Sequence, residues 1–327
     1  MLWALIMAGG SGTRFWPESR LRNPKQFLTL FGPKALFEQA LGRLHGVVPS
    51  SRIVVATSKH DAGKVRSLSK LPVSNILAEP VGRNTAPCAA LAASLILARD
   101  PEAVLAILTA DHGIQDGTKF QRALAQAAEV ARESGRPVTF GVKPTFAHTG
   151  YGYLEMGEKW APKGARHLRK PRSEEPGTFR IYRLRRFHEK PHLARARAYL
   201  KSKKFLWNSG MFVWRADELL RATKKYQPEI YKLAQTMSQG NLRTGLRRCY
   251  AKMPNISIDY GLMEKLQGRI LAMPVDFGWS DLGSWRAMED LWMKDKHKNA
   301  VKGKAVLVDC SGNIVKGDRR LIAMAGV

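Results

Sequence analysis

Leu2-Trp3-Ala4-Leu5-Ile6-Met7 runs without a break into Ala8-Gly9-Gly10-Ser11-Gly12-Thr13-Arg14. A short run that is apolar on both faces reads as a buried parallel strand. Glycines directly after it let backbone N–H groups approach phosphate oxygens with no Cβ in the way. The turn is not GxGxxG, because Phe15 stands where the last glycine would be, and no Gly-Lys-Ser/Thr follows to make a Walker A loop. Taken alone it suits a plain tight turn equally well. Arg14 and Lys25 add cations able to close on a polyphosphate.

The same pattern continues outward from this stretch. Ile53–Ala56, Asn75–Ala78, Val104–Ala110 and Val138–Val142 are further short apolar runs. Helical spacing lies between them, in Phe37, Leu41 and Leu44, in Ala89–Ala98, and in the stripe Phe120, Leu124, Ala127, Ala128 and Ala131. Alternation of this kind predicts an α/β fold, Rossmann-like, with right-handed βαβ units around a mostly parallel sheet. Ligands of such sheets bind at the carboxyl ends of the strands, here the residues after Met7, Ala78 and Ala110. Beyond residue 143 the pattern breaks. Lys159, Lys163, Arg166, Arg169, Lys170, Arg172, Arg180, Arg183, Arg185, Arg186 and Lys190 crowd a basic stretch, read as a solvated loop leading into a strand at Arg180–Phe187. A phosphate- or nucleic-acid-facing surface is the other reading of that stretch. Residues 192–267 read as mostly helical, interrupted by the apolar run Leu206–Trp214. Val306, Val308, Ile314, Val315, Leu321 and Ile322, set among Gly and Asp turns, read as a small β unit. Gly326-Val327 falls inside an apolar run, so a longer chain or another subunit is expected to cover that strand edge.

The 327 residues suggest about two domains at roughly 150 residues each. A composition 44% hydrophobic and 25% charged is that of a globular chain, not a disordered or fibrous one. Lys and Arg number 54 against 27 Asp and Glu, a net charge of +27, which favours anionic partners. Cys88, Cys249 and Cys310 lie far apart with no CxxC, which argues against a zinc site or a disulfide framework. The longest nearly apolar run, Ala86 to Ala98, is interrupted by Pro87 and Ser94 and falls short of the ~20 residues of a membrane span. The first residues lack a positive leader and run into glycines, so no signal peptide is expected. These features predict a cytoplasmic, reduced protein with no membrane partner.

Two carboxylates add to the glycine turn. Asp111, in Thr109-Ala110-Asp111-His112, stands just past a buried strand, where a Mg²⁺ ligand or a helix cap would sit. Asp281, in Phe277-Gly278-Trp279-Ser280-Asp281-Leu282-Gly283-Ser284-Trp285, is a cap or the second carboxylate of a hard-cation site. With them, Gly9 to Pro17 and Pro24-Lys25-Gln26-Phe27-Leu28 resemble the signature of the sugar nucleotidyltransferases, and within these the guanylyltransferases that use mannose 1-phosphate. The resemblance continues through Glu79-Pro80-Val81-Gly82-Arg83-Asn84-Thr85-Ala86-Pro87, Gly150-Tyr151-Gly152-Tyr153, Phe187-His188-Glu189-Lys190-Pro191, Trp207-Asn208-Ser209-Gly210-Met211-Phe212 and Ser257-Ile258-Asp259-Tyr260-Gly261-Leu262-Met263-Glu264-Lys265. Glu18 and Thr109 depart from the Leu and Pro usual in that family.

The resemblance implies a catalytic domain over residues 1–292 and a short left-handed β-helix-like segment over 299–327, used for pairing into a homodimer. The residues after Trp285 are too few for the isomerase domain of bifunctional relatives. The implied substrates are GTP and mannose 1-phosphate, the released product is pyrophosphate, and the cofactor is Mg²⁺. Gly9, Gly10, Gly12 and Thr13 would hold the nucleotide, with Asn84 and Thr85 reading one edge of guanine and Glu79 accepting from its N1 and N2 donors. Arg14 and Lys25 would neutralise the leaving pyrophosphate, and Asp111 and Asp281 would hold the metal. Glu189 would take sugar hydroxyls and Lys190 the sugar phosphate, with Gly150 and Asn208 completing the pocket; a surface ion pair is the bland reading of Glu189 and Lys190. The competing functions are the same chemistry with GTP or UTP and glucose 1-phosphate, or a nucleic-acid-binding or regulatory protein without activity. No RNP1, KH, helix-turn-helix or zinc-finger signature supports the last.

Overall fold

The computed structural model describes residues 1–10, 12–161 and 178–327. Ser11 of the glycine turn and the basic residues Lys163, Arg166, Arg169, Lys170 and Arg172 lie outside the described residues. The amino-terminal apolar run forms β1 (Leu2–Ala8), followed by β2 (Ile53–Ser58), β3 (Ile76–Glu79) and β4 (Val104–Thr109). β1 lies between β2 and β4, parallel to both, with Ala4 opposite Ile53 and Leu2 opposite Val104. Five more strands complete the sheet: β5 (Val138–Val142), β6 (Tyr153–Lys159), β7 (Tyr182–His188), β8 (Phe205–Arg215) and β9 (Leu271–Val275). Their order is β3-β2-β1-β4-β8-β5-β9-β7-β6, with β6 also paired to β8. β8 runs antiparallel to β4, β5 and β6, whereas β5 and β9 pair in parallel.

The element boundaries have local causes. Asn75 is not part of β3, because its side-chain amide donates to the carbonyls of Ser51 and Ile53 and holds it in the preceding turn. Ala110 leaves β4 after its N–H bonds the Met7 carbonyl. The helix expected from Ala89 starts earlier and spans Thr85–Leu97. Its first turn is fixed by Asn84, whose side chain accepts from the Thr85 N–H, and by Pro87, which needs no donor there. Helix Gly117–Ser134 is capped by Asp116 accepting from the Lys119 N–H. Beyond β7 the helical reading of 192–267 resolves into Leu193–Ser202, Ala216–Tyr226, Pro228–Gln239, Leu242–Cys249 and Ile258–Gly261.

The chain divides into two compact units. The first comprises Met1–Gly10, Ala40–Ala110 and Ile114–Trp279 and contains the nine-stranded sheet. Its core joins Leu5, Val54 and Leu105 of the sheet to Ala89, Leu219, Ile230 and Tyr250 of the helices. The second comprises Ser11–Gln39, Asp111–Gly113 and Ser280–Val327. Phe15, Leu28, Leu30, Leu36, Leu282 and Met288 form its core, with Phe15 edge-on to Trp285 at 5.2 Å. The small β unit in it has four strands: β10 (Ala300–Lys302), β11 (Ala305–Val308), β12 (Ile314–Lys316) and β13 (Ile322–Ala325). β10 pairs with β12 and β11 with β13, both in parallel, so one winding stacks on the next. The Asn313 amide donates to Asn299 Oδ1 at the corresponding turns, 3.1 Å apart. Among the described residues no helix is long and apolar enough to cross a membrane.

Candidate active site

In the second unit, the glycine turn and Lys25 meet directly. Gly12 has φ +53°, and a Cβ there would lie 2.6 Å from Lys25 Cβ and 2.7 Å from its backbone N. Only glycine accepts both the left-handed conformation and that approach. Lys25 is buried, and its ammonium donates to Asp111 Oδ2 at 2.7 Å and to the Asp281 carbonyl at 2.5 Å. Burial pushes the Asp111 carboxyl up, but Lys25 and His112 outweigh it and hold it below the usual carboxylate range. Asp281 Oδ1 accepts from the Gly283 N–H at 3.0 Å, so the turn-capping role coexists with its place beside Lys25. Thr13 and Arg14 are exposed in the short 3₁₀ turn Thr13–Phe15, and Arg14 has no side-chain partner among the described residues.

These oxygens also answer whether a divalent ion fits. Among the described residues no group of three or more His, Cys, Asp or Glu side chains forms a metal cage. The Lys25 ammonium is met by one Asp111 carboxylate oxygen and the Asp281 backbone carbonyl, both hard oxygens, while the Asp281 carboxylate accepts from the Gly283 N–H. Such a set of oxygens suits a cation that takes one or two protein carboxylates and fills its shell with water and phosphate.

The first unit carries two further clusters. Gly10, at φ +101°, ends the turn after β1, and Gly9 faces Glu79: a Cβ there would lie 3.6 Å from Glu79 Oε2. Glu79, at the end of β3, accepts from the Tyr250 hydroxyl through Oε1. Burial pushes its carboxyl up to about 7, against the Tyr250 hydrogen bond. Asn84 and Thr85 are committed to structure at one end each. Asn84 caps its helix, and Thr85 Oγ1 accepts from the Ile258 N–H at 2.8 Å.

The other cluster gathers around Glu189. Its ion pair with Lys190 is 3.7 Å long, with Lys190 57% exposed and Glu189 only 11%. Burial first, then repulsion from Asp259, push the Glu189 carboxyl up to about 7 against the pull of Lys190. The glycine that makes room for it is Gly152, where a Cβ would stand 2.5 Å from Glu189 Oε2; Gly150, singled out from the sequence, instead bonds His148 Nδ1 through its N–H. Asn208 is buried, donates to Asp259 Oδ1 at 3.0 Å and accepts from Thr139 Oγ1 at 3.1 Å. Asp259, half-buried and with its carboxyl pushed upward by desolvation, and Tyr250 are the two members that sequence reasoning left without a role. Asp259 lay inside a quoted motif, whereas nothing around Tyr250 pointed to Glu79.

In the one unit glycines follow the first strand and polar side chains gather at Glu79 and Glu189, and in the other a buried lysine is held by a carboxylate and a carbonyl, a chemistry suited to phosphorylated substrates. The chain belongs to the nucleotidyl transferase family, whose profile matches residues 3–298. Among particular relatives, it is 40% identical over 330 residues to the xanthan biosynthesis protein XanB of Xanthomonas campestris pv. campestris, covering 99% of this chain and 66% of that one. It is 37% identical over 334 residues to the mannose-1-phosphate guanylyltransferase RfbM of Salmonella typhimurium, covering 99% of this chain and 65% of that one. The chain therefore spans about two thirds of the length of the curated relatives it matches. A solved structure from Thermus thermophilus, described as mannose-1-phosphate geranyltransferase, superposes with a TM-score of 0.85 at 34% identity, covering 99% of this chain and 90% of that one. Enzymes of this family work with a divalent metal ion.

Proposed function

We propose that this chain transfers GMP from GTP to α-D-mannose 1-phosphate, giving GDP-mannose and pyrophosphate. The observation that carries the reading is the Lys25 ammonium joining Asp111 to the Asp281 carbonyl, an arrangement suited to handling concentrated negative charge. A phosphate monoester has its second pKa near 6, so the sugar phosphate arrives largely dianionic at pH 7 and needs no general base. One of its oxygens forms the new bond to the α-phosphorus, and the bond from that phosphorus to the oxygen bridging to the β-phosphate breaks. Pyrophosphate leaves with the electron pair. Catalysis is then positioning and charge neutralisation.

In this reading Gly9, Gly10, Gly12 and Thr13 present backbone to the GTP phosphates, while Arg14 and Lys25 balance the leaving pyrophosphate. Asp111 and Asp281 would hold Mg²⁺, which supplies charge neutralisation on the phosphates. Glu79, with Asn84 and Thr85, selects guanine. Glu189 takes sugar hydroxyls, Lys190 takes the sugar phosphate, and Asn208 steadies that end through Asp259. Residues 1–292 serve as the catalytic domain, and 299–327 form a β-helix-like segment through which two copies pair, in the cytoplasm. Pyrophosphate release from GTP with mannose 1-phosphate, set against ATP, UTP and glucose 1-phosphate, tests the reading. Equal or faster release with another pair overturns the substrate assignment.

A further inference from the structure

Two lysines of the small β unit stand side by side. Lys302 ends β10 and Lys316 ends β12, and the parallel register sets them opposite each other. Like charges in that relation repel. Burial first, then Lys316, hold the Lys302 ammonium below its ordinary range, against the pull of Glu18. Both lysines nevertheless reach the amino-terminal segment of the same compact unit. Lys316 pairs with Glu18 Oε2 at 2.5 Å and lies 5.9 Å from the centre of the Trp285 ring. Lys302 donates to the Thr29 carbonyl at 3.1 Å and lies 5.8 Å from the centre of the Trp292 ring. The two indoles bond the same segment: Trp285 donates to the Trp16 carbonyl at 3.0 Å, and Trp292 to the Leu30 carbonyl at 2.8 Å.

These contacts flank the residues read as handling phosphate. On one side, the Trp16 N–H donates to the Thr13 carbonyl at 3.0 Å and the Glu18 N–H to the Phe15 carbonyl at 2.8 Å. Glu18 is thereby tied to the short turn that carries Thr13 and Arg14. On the other side, Thr29 follows the Lys25–Phe27 turn, which the Leu28 N–H closes on the Lys25 carbonyl at 3.0 Å. A lysine and an indole thus hold each end of the stretch from Thr13 to Leu30. A neutral side chain at 18 would leave the two ammonium groups facing each other with no counter-charge from that side.

We propose that the small β unit is part of the nucleotide site, with Glu18 and Lys316 as positioning residues that set Thr13 and Arg14 against the GTP phosphates. The proposal rests on the reading of those two residues given above.

Steady-state kinetics and hydrogen exchange on the full chain test it. Lys316→Met keeps the apolar stem, and Glu18→Gln keeps the shape. Each should raise KM for GTP about threefold to tenfold and leave KM for mannose 1-phosphate unchanged. The double variant should cost no more than either single one, and Glu18→Lys/Lys316→Glu should recover part of the loss. Amide exchange over Thr13–Ser19 should quicken in Lys316→Met. Unchanged KM for GTP in Lys316→Met overturns the proposal. Equal rises in both KM values, or additive losses in the double variant, overturn it too, since they mark a merely structural pair. Arg14→Ala tells this failure from that of the underlying reading. GTP use lost in Arg14→Ala but intact in Lys316→Met overturns the positioning alone, whereas intact GTP use in Arg14→Ala overturns the reading of Arg14 itself.

Discussion

Two carboxylates with the same raised pKa of about 7 invite opposite tests. For Glu79 the question is recognition. Glu79→Gln keeps the shape but turns an acceptor into a donor, and a hydrogen bond to a charged group is worth about 1.5–3 kcal/mol. GTP efficiency should fall about tenfold to a hundredfold, and efficiency with ITP, which lacks the N2 amino group, should fall less. Parallel losses of kcat/KM with the two nucleotides would remove Glu79 from base reading. Tyr250→Phe deletes the hydrogen bond that pulls the Glu79 carboxyl down. The acidic limb of the GTP profile should then move to higher pH. For Glu189 the question is stability. Its folded pKa lies above its unfolded value, so its contribution is complete below about pH 4.5 and is lost as pH rises through about 7. Glu189→Gln should therefore stabilise the fold by about 2–3 kcal/mol at pH 8 and by about 1 kcal/mol or less at pH 5. Urea midpoints that shift equally at both pH values would contradict this.

At the scale of elements, the glycine turn and β4 carry the sharpest tests. Gly12→Ala places a methyl against Lys25 and demands φ +53° of an alanine. It should lower kcat/KM for GTP by about tenfold or more and also lower the melting temperature, since both the clash and the left-handed φ strain the fold. Intact activity would detach the turn from Lys25 function. At the end of β4, the Thr109 hydroxyl is buried with no partner among the described residues. Thr109→Val keeps the shape and removes that cost, so thermal unfolding should show a gain of about 1–2 kcal/mol. The strands were legible because β1, β2, β4 and β5 are short, mostly apolar runs on both faces, which a doubly covered sheet buries. The start of helix Thr85–Leu97 was missed because its cap, Asn84, acts through one side-chain bond that periodicity does not register. Lys25, Asp111 and Asp281 stood out as charges beside turns; the Lys25 ammonium reaches the Asp111 carboxylate and the Asp281 backbone carbonyl. Tyr250 and Gly152 did not stand out, since each matters only through a partner distant in the chain, Glu79 and Glu189.

For the whole molecule, the excess of 54 basic over 27 acidic residues is the dominant global property. Such a charge attracts any polyanion through counterion release, with no readout of sequence. The chain should therefore bind duplex DNA at low salt and let go by about 0.2 M, independently of base sequence. Retention above that salt, or sequence preference in a competition assay, would revive the nucleic-acid reading.

β8 runs from Phe205 to Arg215 but not as one regular ribbon. Its pairing with β5 shifts register between Thr139 and Gly141, and Gly210, at φ +70°, lies in the stretch of β8 opposite that shift. A side chain at 210 would have to take up a left-handed conformation, so glycine is what lets the strand absorb the extra residues. The part that carries Asn208 and the part that carries Phe212 are thus registered separately against β5, a splice in the middle of the sheet rather than one continuous thread.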